Sequence, residues 1–328
     1  MMAQTISETQ HDNLADKAPA VSVIIPAYNI ARFIGEAMES VLAQTFTHYE
    51  IIVINDGSPD TEEMEQVLAP YLDRIVYLKQ ENQGAGAARN AGLRAARGKY
   101  IAFLDGDDVW YPTHLSDQIA LIESGPGYDL VYADAAIFGE LKSTFQTCME
   151  SHPSEGDVTF DSLLQGRCSV ITSTVLARRE PIMEIGLFDE TLRNSQDFDL
   201  WLRLAKRNGA RMNYQRKVQG EHRVYGGSLA SVPLRSLEAE VRVLTKMGQR
   251  SDLTPAEQAT ISRTLPLRKA IIEVHRGKHH LLDGEFEAAT RSFAESNSLA
   301  PNWKLRLVLF WLRIAPRLFQ RIYKARVA

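Results

Sequence analysis

The chain has 328 residues and a formal net charge of -4, with 45% hydrophobic and 24% charged residues. These proportions are ordinary for a soluble globular protein and exclude a collagen-like or wholly disordered chain. Two cysteines, Cys148 and Cys168, are too few for a disulfide framework or a thiolate metal cluster, and the acidic balance gives no general attraction to nucleic acid.

Short apolar runs alternate with helical patterns through the first half of the chain. We predict strands at residues 21–29, 51–58, 74–80 and 100–108, with a helix between each pair. This β-α-β-α-β-α-β order predicts an α/β layered sheet with right-handed crossovers. Because ligands of such sheets bind beyond the carboxyl ends of the strands, the informative residues are those that end each strand.

Three carboxylates follow the fourth predicted strand. Asp105, Asp107 and Asp108 lie within four residues, so their charges repel one another. A divalent cation would remove this repulsion, and Mg²⁺ commonly bridges carboxylates to phosphates. A solvated turn is the better explanation of an isolated DGDD sequence, but the buried strand that leads into it reverses this preference and favours a metal site.

Glycines and an arginine open the third predicted helix. Gly84 and Gly86 would let the backbone approach a ligand, and Arg89 lies one turn further on. A tight turn without a ligand is the alternative. A dinucleotide fingerprint is disfavoured, because it normally follows the first strand of its unit and this segment follows the third. Asp56, at the end of the second strand, fits either a ribose or base contact or an Asx turn.

Six segments in register resemble the family 2 glycosyltransferases of the GT-A fold. They are VSVIIPAYN, IIVINDGS, NQGAGAARN with YIAFLDGDD, GLFDETLRNSQDFDLWLRLA and HRVYGGSLAS. The resemblance covers about residues 20–232 and implies a Rossmann-like mixed sheet flanked by helices. It also implies transfer of a sugar from a nucleoside-diphosphate sugar to a hydroxyl of a glycan or lipid-linked acceptor. A non-catalytic scaffold that binds nucleotide sugars and a dinucleotide-dependent oxidoreductase remain the alternatives.

The resemblance assigns the site residues to three groups. The nucleotide-sugar-binding group is Pro26, Ala27, Tyr28, Asp56, Gly84, Arg89 and Asp105. The metal group is Asp105 and Asp107, which would hold Mn²⁺ or Mg²⁺, and the general base is Asp197.

The base assignment leaves one rival and meets two departures from the family pattern. Asp199 is the rival, although residues two apart on a helix face different ways. Gln196 stands where the family often has Glu, and Tyr225 where it often has His. A single carboxylate without a partner nucleophile implies direct displacement and inversion, by the logic of inverting glycosidases.

The two ends of the chain differ from the middle. We predict a disordered tail at 1–20, a GT-A domain at 21–232 and a helical region at 233–328, which includes a hairpin resembling one tetratricopeptide repeat. From residue 301 onward the chain has seven basic residues and no acidic one. These basic residues and an apolar face predict a helix at an anionic membrane surface, with Pro316 as a kink or a fresh start. We therefore predict a cytoplasmic protein held peripherally at the inner face of the membrane; the alternative is a helix docked on the protein's own core.

Overall fold

The computed structural model describes residues 18–125, 127–141, 143–226 and 233–327, without the side chains of residues 233, 326 and 327. Most of the predicted tail and the end of the HRVYGGSLAS segment, residues 227–231, lie outside the described residues. The chain divides into two compact units, Met1–Ser231 and Val232–Ala328.

The first unit is built on one mixed sheet, in which the described residues form eight strands. They are β1 (Val21–Ala27), β2 (Tyr49–Asp56), β3 (Ile75–Gln80), β4 (Tyr100–Phe103), β5 (Val109–Trp110), β6 (Leu130–Gly139), β7 (Leu176–Arg178) and β8 (Met212–Val224). Their order across the sheet is β3-β2-β1-β4-β7-β6-β8-β5. The first four strands are parallel, as the alternating strand and helix pattern predicts.

Eight described helices surround the sheet in this unit. They are α1 (Ala31–Leu42), α2 (Thr61–Leu68), α3 (Ala85–Ala95), α4 (His114–Ser124), α5 (Cys148–Ser151), α6 (Phe160–Leu164), α7 (Arg179–Glu184) and α8 (Gln196–Lys206).

Strand β1 is apolar except for Ser22, because both of its faces are covered. Val23 and Ile25 belong to one buried cluster with Met38 of α1. On the other face α3 packs closely through Gly92, where a Cβ atom would come within 2.6 Å of Ile24 Cγ2. A side chain at position 92 would therefore push α3 away from the sheet.

The second half of the sheet brings distant segments to the end of β4. Strand β7 runs antiparallel to β4, so the residues that precede β7 lie beside those that follow β4. Strand β8 runs parallel to β6 and antiparallel to β5, which places residues 222–224 near the same point. The predicted fourth strand was too long: β4 ends at Phe103, and the DGDD carboxylates lie in the loop after it.

The second unit is helical throughout its described part. Its helices are α9 (Pro233–Met247), α10 (Pro255–Asp283), α11 (Phe286–Leu299), α12 (Trp303–Ile314) and α13 (Pro316–Val327). Helices α10 and α11 form a hairpin across Gly284, whose φ of +81° ends α10 in the left-handed conformation. A Cβ on Gly277 would lie 2.9 Å from the Phe293 ring, so this glycine lets the hairpin close tightly.

The predicted C-terminal helix is two helices. Helix α12 ends at Ile314, and Pro316 opens α13, so this proline starts a fresh helix rather than kinking a continuous one. None of the described helices is both long and apolar enough to cross a bilayer. The predicted architecture, a mixed α/β sheet flanked by helices and followed by a helical region, is confirmed.

Candidate active site

The carboxyl ends of three adjacent parallel strands gather most of the predicted site residues at one margin of the sheet, called here the carboxyl edge. Pro26, Ala27 and Tyr28 end β1, Asp56 ends β2, and Asp105 and Asp107 follow β4. Ala27 is buried, whereas the Tyr28 side chain is half exposed beyond the strand.

The chain turns sharply after Tyr28. Asn29 has a φ of +56°, in the left-handed region, and its N–H donates to Ser58 Oγ at 2.6 Å. This bond ties the end of β1 to the turn that follows β2 and fixes the backbone beside Tyr28.

Asp56 orders the loop that leads into α3. Its carboxylate is buried and accepts hydrogen bonds from Gln80 Nε2 at 2.7 Å, the Gln83 N–H at 2.9 Å and the Gly84 N–H at 2.8 Å. Three N–H donors stabilise the charged form of this carboxylate without a basic partner. Asp56 therefore positions the glycine turn even without a ligand. Its predicted contact with a nucleobase stays a prediction.

The two glycines of this turn let α3 approach the start of α8. Gly84 has a φ of +92°, and a Cβ there would lie 3.0 Å from Arg193 Nη1. A Cβ on Gly86 would lie 3.2 Å from Gln196 Cγ. Arg193 and Gln196, which lie shortly before Asp197 in the chain, thus occupy the space that side chains at positions 84 and 86 would need.

Each carboxylate of the DGDD loop has a different partner. Asp105 Oδ1 accepts from Arg89 Nη2 at 2.5 Å. Asp108 is buried and accepts from His222 Nδ1 at 3.2 Å and from the Arg223 N–H at 2.9 Å. Asp107 accepts from the Tyr225 hydroxyl at 3.0 Å.

These partners set the charges within the loop. The negative charge of Asp108 raises the pKa of His222 to about 9, so the imidazole is a cation at neutral pH. Burial, reinforced by the charges of Asp108 and Asp105, raises the pKa of Asp107 to about 7. Asp107 is therefore the carboxylate of this loop whose negative charge is least compensated by the protein.

Asp197 and Asp199 have different surroundings although both lie in the first turn of α8. Asp197 is half buried and accepts from Thr172 Oγ1 at 2.8 Å and from the Phe198 N–H at 2.8 Å. Asp199 is 1% exposed and accepts from Arg203 Nε at 2.7 Å. The rival base of the sequence analysis is thus held in a buried ion pair.

A short turn that the sequence analysis did not single out connects these carboxylates. The 3₁₀ turn Thr172–Thr174 precedes β7, and Thr172 donates to Asp197. The neighbouring Ser173 hydroxyl donates to Asp108 at 2.5 Å. His222 was likewise missed as a partner of Asp108. The available signals were the Thr-Ser-Thr run before an apolar strand and the histidine at the start of the HRVYGGSLAS segment.

Six carboxylates at this edge divide into two classes by their partners. Four are matched by a basic side chain or by several N–H donors; these are Asp56, Asp105, Asp108 and Asp199. In the described chain, Asp107 and Asp197 accept no hydrogen bond from a basic side chain. These two are available for a cation or a proton.

Arg89 is close enough to both available carboxylates for its charge to act on them. It is 4% exposed, and its charge acts on Asp105, Asp197 and Asp107. Nε and Nη1 of Arg89 are buried and have no hydrogen-bond partner among the described residues. Unsatisfied donors of a buried guanidinium are costly, so an anionic group that entered the site would gain two charge-assisted hydrogen bonds.

The donors in the DGDD loop fit a divalent cation held jointly with a ligand. Asp105 and Asp107 offer hard carboxylate oxygens, and Asp107 is in an environment that disfavours its negative charge. No group of three or more His, Cys, Asp or Glu side chains in the described chain is arranged to hold a metal. Mg²⁺ typically takes one or two carboxylates and completes its shell with phosphate oxygens and water, which these residues match.

Comparisons with known proteins relate the chain to one family. The Glycosyl transferase family 2 model matches residues 22–186, half of the chain. An uncharacterized glycosyltransferase of Rickettsia prowazekii is 33% identical over 229 residues, which are 67% of this chain and 69% of the relative. A UDP-Glc:alpha-D-GlcNAc-diphosphoundecaprenol beta-1,3-glucosyltransferase of Escherichia coli, WfaP, is 31% identical over 230 residues, which are 70% of this chain and 86% of the relative.

A solved structure shares the fold. The mannosyltransferase PcManGT from Pyrobaculum calidifontis, in complex with GDP-Man and Mn²⁺, superimposes with a TM-score of 0.61 at 16% identity. The match covers 93% of this chain and 84% of that one.

Proposed function

Because the chain belongs to glycosyl transferase family 2, we propose that it transfers a sugar from a nucleoside-diphosphate sugar to an acceptor hydroxyl, with inversion at the anomeric carbon and with a divalent metal. The observation that carries this proposal is the division of the carboxylates. Of the six carboxylates, only Asp107 and Asp197 have hydrogen-bond partners that leave their negative charge available to a metal or a proton. Asp107 belongs to the donor side and Asp197 to the acceptor side.

The donor nucleotide would lie along the carboxyl edge. We propose that Pro26, Ala27 and Tyr28 contact the base, and that Asp56 holds both the base and the turn at Gly84. The half-exposed ring of Tyr28 supports this placement, since it offers an apolar surface beside a buried strand end. The two free N–H groups of Arg89 would bind an oxygen of the donor.

The residues that would hold the metal are Asp105 and Asp107. A bound divalent cation would act as a Lewis acid on the diphosphate leaving group. The protein's own contribution is to keep Asp107 in place through the Tyr225 hydroxyl and to keep Asp108 neutralised by His222. Tyr225 therefore acts on the metal ligand itself, although the family often has His at this position.

Asp197 is the proposed general base. In the transfer step the bond between the anomeric carbon and the diphosphate oxygen breaks, and its electron pair leaves with the diphosphate. The acceptor oxygen forms the new bond from the opposite face, and its proton passes to the Asp197 carboxylate. Such proton transfer typically contributes about 10²–10⁴-fold to the rate. The hydroxyl of Thr172 fixes one oxygen of Asp197 and orients the carboxylate for this transfer.

The acceptor class that we propose is a lipid-linked glycan. The printed name of the Escherichia coli relative specifies a GlcNAc unit on diphosphoundecaprenol as its acceptor and UDP-Glc as its donor. A role in the synthesis of a cell-surface polysaccharide follows for this chain if the acceptor class is shared.

A thermal-shift panel tests the donor. UDP-, GDP- and dTDP-sugars are compared with and without Mn²⁺, with NAD⁺ as the test of an oxidoreductase. A ligand at about 100 times its Kd adds about 2.7 kcal/mol to the free energy of unfolding, so the true donor should stand out. Asp107→Asn should lose the part of the shift that requires Mn²⁺, whereas the exposed control Asp73→Asn should keep it.

Nucleoside diphosphate release with that donor and lipid-linked acceptors tests the reaction. Metal-dependent release by the wild type is expected. Donor binding with no release across the acceptor panel would favour a non-catalytic scaffold, and full activity in EDTA would refute the metal.

A further inference from the structure

The outward side of α12 carries a continuous apolar stripe, called here the outward face. It consists of Trp303, Leu307, Phe310, Trp311 and Ile314, which recur at the three- and four-residue spacing of one helix face. Their side chains are between 41% and 65% exposed. An apolar stripe of this size on a helix surface marks a site of interaction.

The opposite side of the same helix is also apolar. Leu305, Val308, Leu309 and Leu312 pack into the core of the helical unit, together with Leu281 of α10 and Phe293 of α11. Helix α12 therefore has two apolar faces, and the helical unit needs only one of them for its core. The outward face has no role in the packing of this unit.

Helix α13 extends the outward face and adds charge. Leu318 and Ile322 are more than half exposed, whereas Phe319 and Tyr323 turn toward the core. The apolar side predicted from the sequence is thus divided between the core and the solvent. Exposed basic residues flank the apolar stripe along both helices: Lys304, Arg306, Arg313, Arg317, Arg321 and Lys324.

The charge around the stripe is of one sign. No Asp or Glu follows Glu295 in the sequence. No described carboxylate forms an ion pair with these six basic side chains, so no described acidic group compensates their charge.

We propose that the outward face binds the surface of an anionic phospholipid bilayer, with α12 and α13 lying in the interface. Apolar side chains would enter the acyl boundary while the flanking cations meet lipid phosphates. Trp303 and Trp311 suit the headgroup level, where tryptophan is enriched. A second copy of the chain fits less well, because a twofold contact would bring basic residues of both copies together without a carboxylate between them.

Tryptophan fluorescence of the full-length wild type gives a direct readout. The chain has four tryptophans. Trp110 and Trp201 are buried in the first unit, and the exposed pair, Trp303 and Trp311, lies on the outward face. Vesicles of phosphatidylcholine with phosphatidylglycerol, made with brominated acyl chains, should quench the exposed pair and leave the buried pair emitting. Neutral phosphatidylcholine vesicles should quench far less.

Co-sedimentation with the same vesicles tests the residues. Leu307→Glu with Ile314→Glu should weaken binding by about a hundredfold or more, since two apolar side chains lose their burial and two anions are added. The matched control is Leu267→Glu with Ile271→Glu, two exposed positions one turn apart on α10, which should bind as the wild type does. Neutralising Arg317, Arg321 and Lys324 to Gln should weaken binding by about a hundredfold, at roughly fivefold per charge.

Several results would overturn the proposal. One is no binding of the wild type to anionic vesicles, and another is equal binding by the outward-face variant. A third is a wild-type dimer in light scattering that the outward-face variant converts to a monomer, together with no binding to vesicles. Circular dichroism of each variant shows whether its helices persist. The proposal goes beyond sugar transfer, and its test requires no donor, acceptor or turnover.

Discussion

Asp197→Asn and Asp199→Asn should have different effects: the first should lower activity, and the second should lower stability. Asp197→Asn keeps the size and half-buried position of the side chain but cannot accept a proton at neutral pH. Loss of a general base lowers kcat by about 10²–10⁴-fold, which raises the barrier by roughly 3–5 kcal/mol. Stability should change by less than about 0.5 kcal/mol, because Asp197 has no basic hydrogen-bond partner to lose.

Asp199→Asn should act on stability instead. It leaves the Arg203 cation without its carboxylate in a site where Asp199 is 1% exposed. Breaking a buried pair in this way costs about 3–5 kcal/mol. We expect the lower end, because Arg203 keeps the carbonyl oxygens of Ile185 and Leu187 at 2.8 and 2.6 Å. At roughly 2–4 °C per kcal/mol for a unit of this size, Tm should fall by about 6–12 °C.

Donor binding separates the two roles further. Calorimetric titration of the donor with Mn²⁺ should give the same Kd for the wild type and Asp197→Asn, while nucleotide release in the presence of acceptor falls. If Asp197→Asn keeps kcat within tenfold of the wild type, Asp197 is not the base. If it instead loses donor affinity and Tm together, Asp197 is structural.

Three further changes test the surroundings of the site. Arg89→Lys should raise the donor KM by about 10–100-fold, since it loses the free Nε and Nη1 donors, whereas Arg94→Lys on the same helix should not. Gly84 and Gly127 have φ of +92° and +93°, so alanine at either position should lower the free energy of unfolding by about 1 kcal/mol or more. Only Gly84→Ala, which crowds Arg193, should also lower kcat; Gly127→Ala is the control. Burial lowers the pKa of His114 to about 3, so below about pH 6.5 the unfolded chain binds a proton at His114 and the folded chain does not. The free energy of unfolding should therefore fall between about pH 6.5 and 5. His114→Phe should reduce this fall by about 2 kcal/mol, as measured by denaturant titrations at each pH.

The first half of the sheet could be predicted because its central strands, β1, β2 and β4, are largely buried on both faces. A strand such as β1 must be almost continuously apolar, and that pattern is visible without any partner. Strand β8 gives no comparable signal: it is largely polar, and its pairing with β6 shifts register at Ala133 and again at Asp134. Its position depends on contacts across more than 80 residues of sequence, which periodicity alone does not encode.

The C-terminal helices show a second limit of periodicity. The spacing of Leu312, Leu318, Phe319 and Ile322 indicates apolar surface, but it does not indicate what covers that surface. In the structure Leu312 and Phe319 pack into the core while Leu318 and Ile322 remain exposed. Helices α12 and α13 therefore dock on the core of the helical unit, as one alternative weighed from the sequence expected, and still present an apolar face; the membrane contact stays a prediction.

The roles of the carboxylates could be ranked from the sequence only through the family resemblance. Asp105, Asp107 and Asp108 are chemically alike and nearly adjacent, and their difference comes from partners elsewhere in the chain: Arg89 for the first and His222 for the third. A basic partner leaves a carboxylate with less charge for a metal or a proton, so Asp107 would be the stronger and Asp105 the weaker of the two proposed metal ligands. The same reasoning distinguishes Asp199 from Asp197, because Arg203 forms an ion pair with Asp199. It follows that adding a cation beside Asp107, as Tyr225→Lys would do, should weaken metal binding even though every proposed metal ligand remains, and the Mn²⁺ dependence of the thermal shift measures that loss.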